Sequence, residues 1–79
     1  MPYISTKERI KLKTNPPGTP RDLSYLFTMT IKSYIDHYGL DSQVINDILG
    51  SLEAAKLEFY RRIVVPYDSQ KLFDNGDVY

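Results

Sequence analysis

The chain has 79 residues and no cysteine, and its ten basic and ten acidic side chains give a formal net charge of zero. A chain of this length forms one domain that buries only about 60% of its unfolded surface, and without cysteine neither disulfides nor a thiolate metal site can stabilise it. We therefore expect a single domain over residues 1–79 that gains stability as a homo-oligomer.

Charge is divided unevenly along the chain. Residues 1–32 carry six basic and two acidic side chains, a local +4, and residues 33–79 carry four basic and eight acidic side chains, a local −4. Opposite charges on the two halves favour head-to-tail contact between subunits, although a solvated surface also accounts for them.

Two environments are disfavoured by the same composition. A neutral chain lacks the strong positive charge of proteins that coat DNA, so we expect no DNA partner. The chain has no apolar run of membrane-spanning length and no N-terminal apolar signal region. We therefore expect no membrane contact and a cytoplasmic location.

The first predicted helix is short. Ser5-Thr6-Lys7-Glu8 matches the capping box, in which a serine or threonine and a glutamate cap each other's backbone, and we expect a helix from about Thr6 to Leu12. Arg9, Lys11 and Lys13 make this piece basic. Asn15-Pro16-Pro17-Gly18 then forms a connector, since proline and glycine interrupt helices.

The second predicted helix begins with Thr19 as its cap, Pro20 at its first position and Asp22 in its first turn. Apolar and aromatic residues recur at helical spacing until Tyr38, and Gly39 ends the helix as a left-handed cap.

The longest predicted helix covers residues 42–65, with Asp41 or Ser42 as its cap. We expect Pro66 to end it, because proline lacks the backbone N–H and disfavours helical geometry in the preceding residue. Only three residues separate this helix from the second one, which predicts an antiparallel helical hairpin.

The longest helix has a broad apolar side. A rotation of about 100° per residue places these residues in one sector: Ile45, Ile48, Leu49, Leu52, Ala55, Phe59 and Ile63. Leu57, Tyr60 and Val64 widen it, which indicates burial on two sides, within the chain or against another subunit. Lys56 projects inside this sector, so it must pair with Glu53, extend to solvent or contact a ligand.

Residues after Pro66 are predicted to form an irregular tail. It contains one helical turn at residues 71–74 and a tight turn at Asn75-Gly76. The predicted fold is thus all-α, an oligomeric antiparallel hairpin with a short N-terminal helix and this tail.

The sequence contains no conventional catalytic constellation. His37 is the single histidine, and the motifs of nucleophilic, P-loop and dinucleotide-binding enzymes are missing. We therefore expect no enzymatic activity, catalytic residue, metal or cofactor.

Tyrosine is the unusual feature of the composition, with seven copies. Tyrosine and basic side chains in the C-terminal half together suit a nucleotide base and phosphate. The candidate ligand-binding residues are Lys56, Tyr60, Arg61, Arg62, Tyr67, Lys71 and Tyr79. The same residue types suit a wet protein interface, and ordinary packing with Arg61 and Arg62 capping helix C-terminal carbonyls is a further interpretation.

Several segments together resemble a known family. They are Met1-Pro-Tyr-Ile4, Asp22-Leu-Ser-Tyr25, Gly50-Ser-Leu-Glu-Ala-Ala-Lys-Leu-Glu-Phe-Tyr-Arg-Arg62, Pro66-Tyr67 and Asn75-Gly-Asp-Val-Tyr79. Nearly the whole chain resembles a small phage and bacterial family of unknown function, whose members typically begin MPYI and end NGDVY. The resemblance implies a helical, phage- or prophage-encoded protein, and it transfers no site because no activity is established.

Analogy with small oligomeric phage proteins completes the functional hypothesis. Some of these are non-enzymatic sponges that sequester cyclic nucleotides or other host immune signals. We expect an anti-defence binding protein in the host cytoplasm that holds a cyclic nucleotide, or another nucleotide-derived molecule, at a subunit interface. The alternative is a protein–protein interaction module that inhibits a host protein or aids phage assembly.

Overall fold

A computed structural model describes residues 4–79, and all regular elements within that range are helical. The elements are α1 (Thr6–Lys11), α2 (Pro20–Tyr38), α3 (Ser42–Phe59), a π-helical segment (Tyr60–Val64) and α4 (Val65–Asn75). The prediction of an all-α chain is confirmed over this range. The first three residues of the MPYI motif, Met1-Pro2-Tyr3, lie outside the described residues.

The capping box of α1 is confirmed. The backbone N–H of Glu8 donates to Ser5 Oγ at 3.1 Å, and the backbone N–H of Ser5 donates to Glu8 Oε2 at 3.2 Å. The helix ends at Lys11, one residue before the predicted end, and Leu12 is its C-cap.

Both predicted ends of α2 are present. Thr19 Oγ1 accepts from the backbone N–H of Asp22 at 3.0 Å, and Pro20 occupies the first turn, where no N–H is needed. Gly39 follows the last residue with φ of 83° and donates its N–H to Ile35 O at 2.7 Å. Its ψ of 177° is extended, so it has positive φ without the full left-handed helical geometry.

The start of α3 resolves the choice between the two predicted caps. The backbone N–H of Val44 donates to Asp41 Oδ1 at 2.8 Å, while Ser42 is already the first helical residue. Asp41 therefore supplies the cap.

The expectation that Pro66 ends the long helix is wrong, because the chain passes from α3 through the π-helical segment directly into α4. The N–H of Val65 donates to the carbonyl of Tyr60, five residues back. In an unbroken α-helix the Pro66 ring would meet the carbonyl of Arg62. The wide π turn ends one hydrogen-bond ladder, and Pro66 then occupies the first turn of the next, where its missing N–H is tolerated.

The irregular tail is correspondingly shorter than predicted. α4 has 11 residues, so residues 71–74 belong to a longer helix and not to a single turn. Gly76, with φ of 82°, caps α4 by donating its N–H to Leu72 O at 2.8 Å. Only residues 76–79 are irregular after it.

Residues 1–44 and 45–79 form two compact units. In the described part of the first unit, Ile4 and Val44 are buried, with 2% and 7% of their surfaces exposed. The guanidinium of Arg9, on α1, lies over the Tyr25 ring of α2, 5.8 Å from its centroid. In the second unit, every residue from 51 to 79 is exposed except Val64, which is partly buried.

The hairpin, the single domain and the oligomer stay predictions.

None of the helices within residues 4–79 combines the length and apolar character needed to cross a bilayer.

Candidate functional site

All seven candidate ligand-binding residues lie in the second unit. Lys56 belongs to α3, three residues belong to the π-helical segment, Tyr67 and Lys71 belong to α4, and Tyr79 lies in the short tail. Each of the seven is exposed.

The two candidate arginines share a single carboxylate. Arg62 Nε lies 2.6 Å from Glu58 Oε1, and Arg61 Nη2 lies 2.7 Å from Glu58 Oε2. The spacing of Glu58 and Arg62 predicts their pair, whereas the pair with Arg61 was missed although its three-residue spacing also favours it. The cluster keeps one net positive charge, and both arginine side chains remain more than 70% exposed.

This arrangement corrects the interpretation in which Arg61 and Arg62 cap the carbonyls at the end of a helix. Glu58 holds both guanidinium groups, and neither of them donates to a backbone carbonyl among residues 4–79.

Lys56 is exposed and loosely paired. Its Nζ lies 3.9 Å from Glu53 Oε1, and 74% of its side chain is exposed. Of the alternatives that the sequence left open, pairing and extension to solvent describe its position in one chain. At this distance the ion pair holds the amine weakly, so Lys56 can exchange Glu53 for another anion.

Tyr67 and Lys71 form a contact that was not predicted from the sequence. Lys71 Nζ lies 5.6 Å from the centroid of the Tyr67 ring, within reach of a cation–π contact. Their i, i+4 spacing would predict this contact in a helical segment. Within residues 4–79 Lys71 has no carboxylate partner.

Tyr60 and Tyr79 make no ring contact with the other candidate residues in the described part of the chain. Tyr79 is held locally, because its backbone N–H donates to Asp77 Oδ1 at 2.8 Å. The structure thus joins Arg61 and Arg62 through Glu58 and places Lys71 over the Tyr67 ring. Among residues 4–79, the side chains of Lys56, Tyr60 and Tyr79 make no hydrogen bond, ion pair or ring contact with another candidate residue.

The π turn changes which side chains of α4 continue the apolar side of α3. One extra residue in the turn shifts everything after it by about 100° from its position in an uninterrupted α-helix. Leu72 then falls about 100° from Leu52, beside Leu57 and Tyr60, and not about 200° away on the opposite side. The widened apolar side therefore continues past Pro66.

Among the described residues of the first unit, two concave surfaces border α1, outside the candidate residues. One, of about 860 Å³, is lined by the end of α1, the connector and the start of α2, and includes Lys11 and Arg21. The other, of about 490 Å³, lies between α1 and α2, and includes Arg9 and Lys13 among apolar side chains. The basic residues Arg9, Lys11 and Lys13 are the sequence signal for these surfaces, whereas the predicted ligand-binding residues all lie in the second unit.

Comparison with known proteins places the chain in a family. Searches of the curated proteins and of the solved structures found no match. The model of a family described as "Domain of unknown function (DUF6899)" matches residues 1–78, which agrees with the resemblance to a small family of unknown function. With nearly its whole length matched, the chain belongs to the DUF6899 family.

Proposed function

We propose that the protein is a non-enzymatic binding protein that acts as a homo-oligomer, in which another copy covers the apolar side of the second unit. This apolar face consists of Leu49, Leu52, Leu57, Phe59, Tyr60, Ile63, Val65 and Leu72. The exposure of these side chains, between 41% and 60% in each case, is the observation that carries the proposal.

The eight side chains form an extended apolar surface that is exposed in one chain. Contiguous apolar patches larger than a few hundred Å² mark sites of protein–protein or ligand contact. The π turn keeps the face continuous from α3 into α4, which suits one extended partner surface. Large, rigid side chains such as Phe59 and Tyr60 are the types that dominate binding energy at interfaces.

Charge favours a second copy as the partner. The chain has no net charge, so two copies do not repel each other. The local +4 of residues 1–32 complements the local −4 of residues 33–79 in another copy, and such complementarity selects partners and their orientation. The family resemblance supports a phage or prophage origin and action in the host cytoplasm.

The oligomer is tested by mass measurement in solution with one variant and its matched control. Wild-type protein is expected at a multiple of the one-chain mass, 9.2 kDa. Leu52→Glu, which places a charge in the apolar face, is expected to raise the dissociation constant at least about tenfold. Ala54→Glu adds the same side chain on the opposite side of α3 and is expected to leave the mass unchanged.

A wild-type mass of one chain at all concentrations would contradict the proposal. If that mass is accompanied by a stoichiometric host or phage protein in a pull-down, the alternative of an inhibitory or assembly module replaces it. That module uses the same apolar face toward a different protein.

We further propose that the oligomer sequesters a cyclic nucleotide, or a similar nucleotide-derived anion, at a subunit interface as an anti-defence sponge. The pair formed by Tyr67 and Lys71 supports this role, since it joins a flat ring to a cation without a carboxylate partner in the described part of the chain. Lys56, Arg61, Arg62 and Lys71 would contact phosphate, and Tyr60, Tyr67 and Tyr79 would stack on bases or donate hydrogen bonds.

Titration calorimetry with cyclic di- and trinucleotides and ADP-ribose derivatives tests this second role. Binding of one member is expected, with affinity reduced at least about tenfold by Lys71→Ala, because a charge-assisted phosphate contact is lost. Gln70→Ala changes an exposed neighbour and is the control. The absence of heat with every ligand tested would remove the sequestration role and leave the oligomer proposal intact.

A further inference from the structure

We propose that the groove between α1 and α2 is a docking site for the C-terminal segment of a second copy, comprising α4 and residues 76–79. This inference rests on the proposed homo-oligomer and names the surfaces that meet. One copy would offer the groove and the other would offer α4, so that the contact is heterologous.

The groove is apolar with a basic edge. Ile10 and Leu12 line it from α1 and its C-cap, and Leu26 and Met29 line it from α2. Ile10 is 60% exposed and Met29 is 40% exposed, so a large part of this lining contacts solvent in one chain. Its volume of about 490 Å³ lies within the range of ligand pockets, about 300–1,000 Å³.

Two cations flank this apolar lining. Arg9 lies over the Tyr25 ring with its charge unmatched by a carboxylate, and Lys13 likewise has no ion pair in the described part of the chain. An occupant that presents apolar side chains beside carboxylates would satisfy both parts of the groove.

The C-terminal segment has this chemistry. Leu72 is 46% exposed and Phe73 is 85% exposed. Asp68 lies one helical turn before Leu72, on the same side of α4, and it has no hydrogen bond or ion pair among the described residues. With Asp74 and Asp77, the segment carries three carboxylates against one lysine.

The two surfaces therefore match in apolar character and are opposite in the sign of their charge. An apolar groove with Arg9 and Lys13 at its edge would receive Leu72 and Phe73, while Asp68 approaches the cations. Amphipathic helices bind apolar grooves in this manner in many complexes. The local +4 of residues 1–32 and the local −4 of residues 33–79 have the opposite signs that this head-to-tail contact requires.

A mixing experiment with two exposed-site variants tests the pairing. Ile10→Glu places an acid in the groove, and Leu72→Glu places one on α4. Each variant alone is expected to raise the dissociation constant of self-association at least about tenfold, as measured by sedimentation velocity. An equimolar mixture is expected to regain a two-chain species, because an intact groove on one variant meets an intact α4 on the other.

Folding and surface chemistry are controlled in the same experiment. Leu40→Glu alters a side chain that is 65% exposed and lies outside both surfaces, and it is expected to keep the wild-type mass. Circular dichroism of all variants should show unchanged helix content, since none of the substituted residues is buried.

The outcomes separate the two proposals. If Leu52→Glu weakens the oligomer but Leu72→Glu does not, or if the mixture stays at the one-chain mass, the groove pairing is wrong and the homo-oligomer stands. If the wild-type protein has the one-chain mass throughout, both proposals are overturned.

Discussion

At the scale of single residues, short-range hydrogen bonds fix where the helices begin. Ser5, Thr19 and Asp41 each accept a backbone N–H from the residue three positions later. An oxygen at this position satisfies a donor that has no partner within the helix. These contacts depend only on neighbouring residues, which is why the sequence predicted them.

Asp41 and Ser42 give a test of one such cap. Asp41→Ala is expected to reduce the free energy of unfolding by about 1 kcal/mol, because the N–H of Val44 loses its acceptor. Ser42→Ala is expected to change it by less than about 0.5 kcal/mol, as is usual for surface positions without a special role. Urea denaturation followed by circular dichroism measures both. Equal losses from the two variants would show that Ser42 shares the capping.

Side-chain pairs in the candidate site likewise form between residues that are close in the sequence. The pair of Glu58 with Arg62 and that of Glu53 with Lys56 follow from helical spacing, and the structure contains both. The contact of Tyr67 with Lys71 also follows helical spacing. It was not predicted, because the segment after Pro66 was not expected to be helical. Because α4 was not predicted, the contact of Tyr67 with Lys71 was missing from the predicted site.

At the scale of elements, local sequence rules predicted the helices that precede Pro66 but not the helix that contains it. Proline disfavours a helix interior but is compatible with a first turn, and the sequence alone did not distinguish the two situations. The π-helical segment of residues 60–64 widens one turn before the proline, so Pro66 lies in the first turn of α4 and not in a helix interior. Such single-turn π segments are rare, so the regular period of α3 gave no indication of it.

Pro66→Ala is expected to remove the π turn. Alanine restores the N–H that donates four residues back and removes the ring that opposes this geometry. The N–H of Val65 should then donate to Arg61 O and no longer to Tyr60 O, which couplings across hydrogen bonds in NMR spectra would detect. Pro20→Ala, at a position that needs no donor, should leave the bounds of α2 unchanged. Persistence of the bond to Tyr60 would show that another feature creates the turn.

At the scale of the whole molecule, few of the described apolar side chains are buried. Ile4 and Val44 are the buried hydrophobic residues of residues 4–79, whereas the broad apolar side predicted for the long helix remains exposed. Helical periodicity predicted that side and its width. It did not predict what covers it, since contacts between distant parts of a chain, or between copies, are not encoded at a fixed spacing.

Thermal stability is expected to depend on protein concentration. If a second copy covers the apolar face, a hundredfold increase in concentration should raise the Tm by about 5–10 °C. Leu52→Glu should reduce this dependence, and Ala54→Glu should retain it. Differential scanning calorimetry at several concentrations provides the measurement. A Tm that is independent of concentration in the wild-type protein would indicate that one chain is stable alone.

The sparse burial within one chain has a consequence for gene dosage. Cells degrade polypeptides that spend much of their time unfolded, and for a chain that is stabilised by association this fraction falls as synthesis rises. If a second copy stabilises this chain, the amount of intact protein should therefore increase more steeply than the amount of messenger RNA. Under the same condition, a weak promoter would yield little intact protein, whereas a burst of transcription would yield a stable pool.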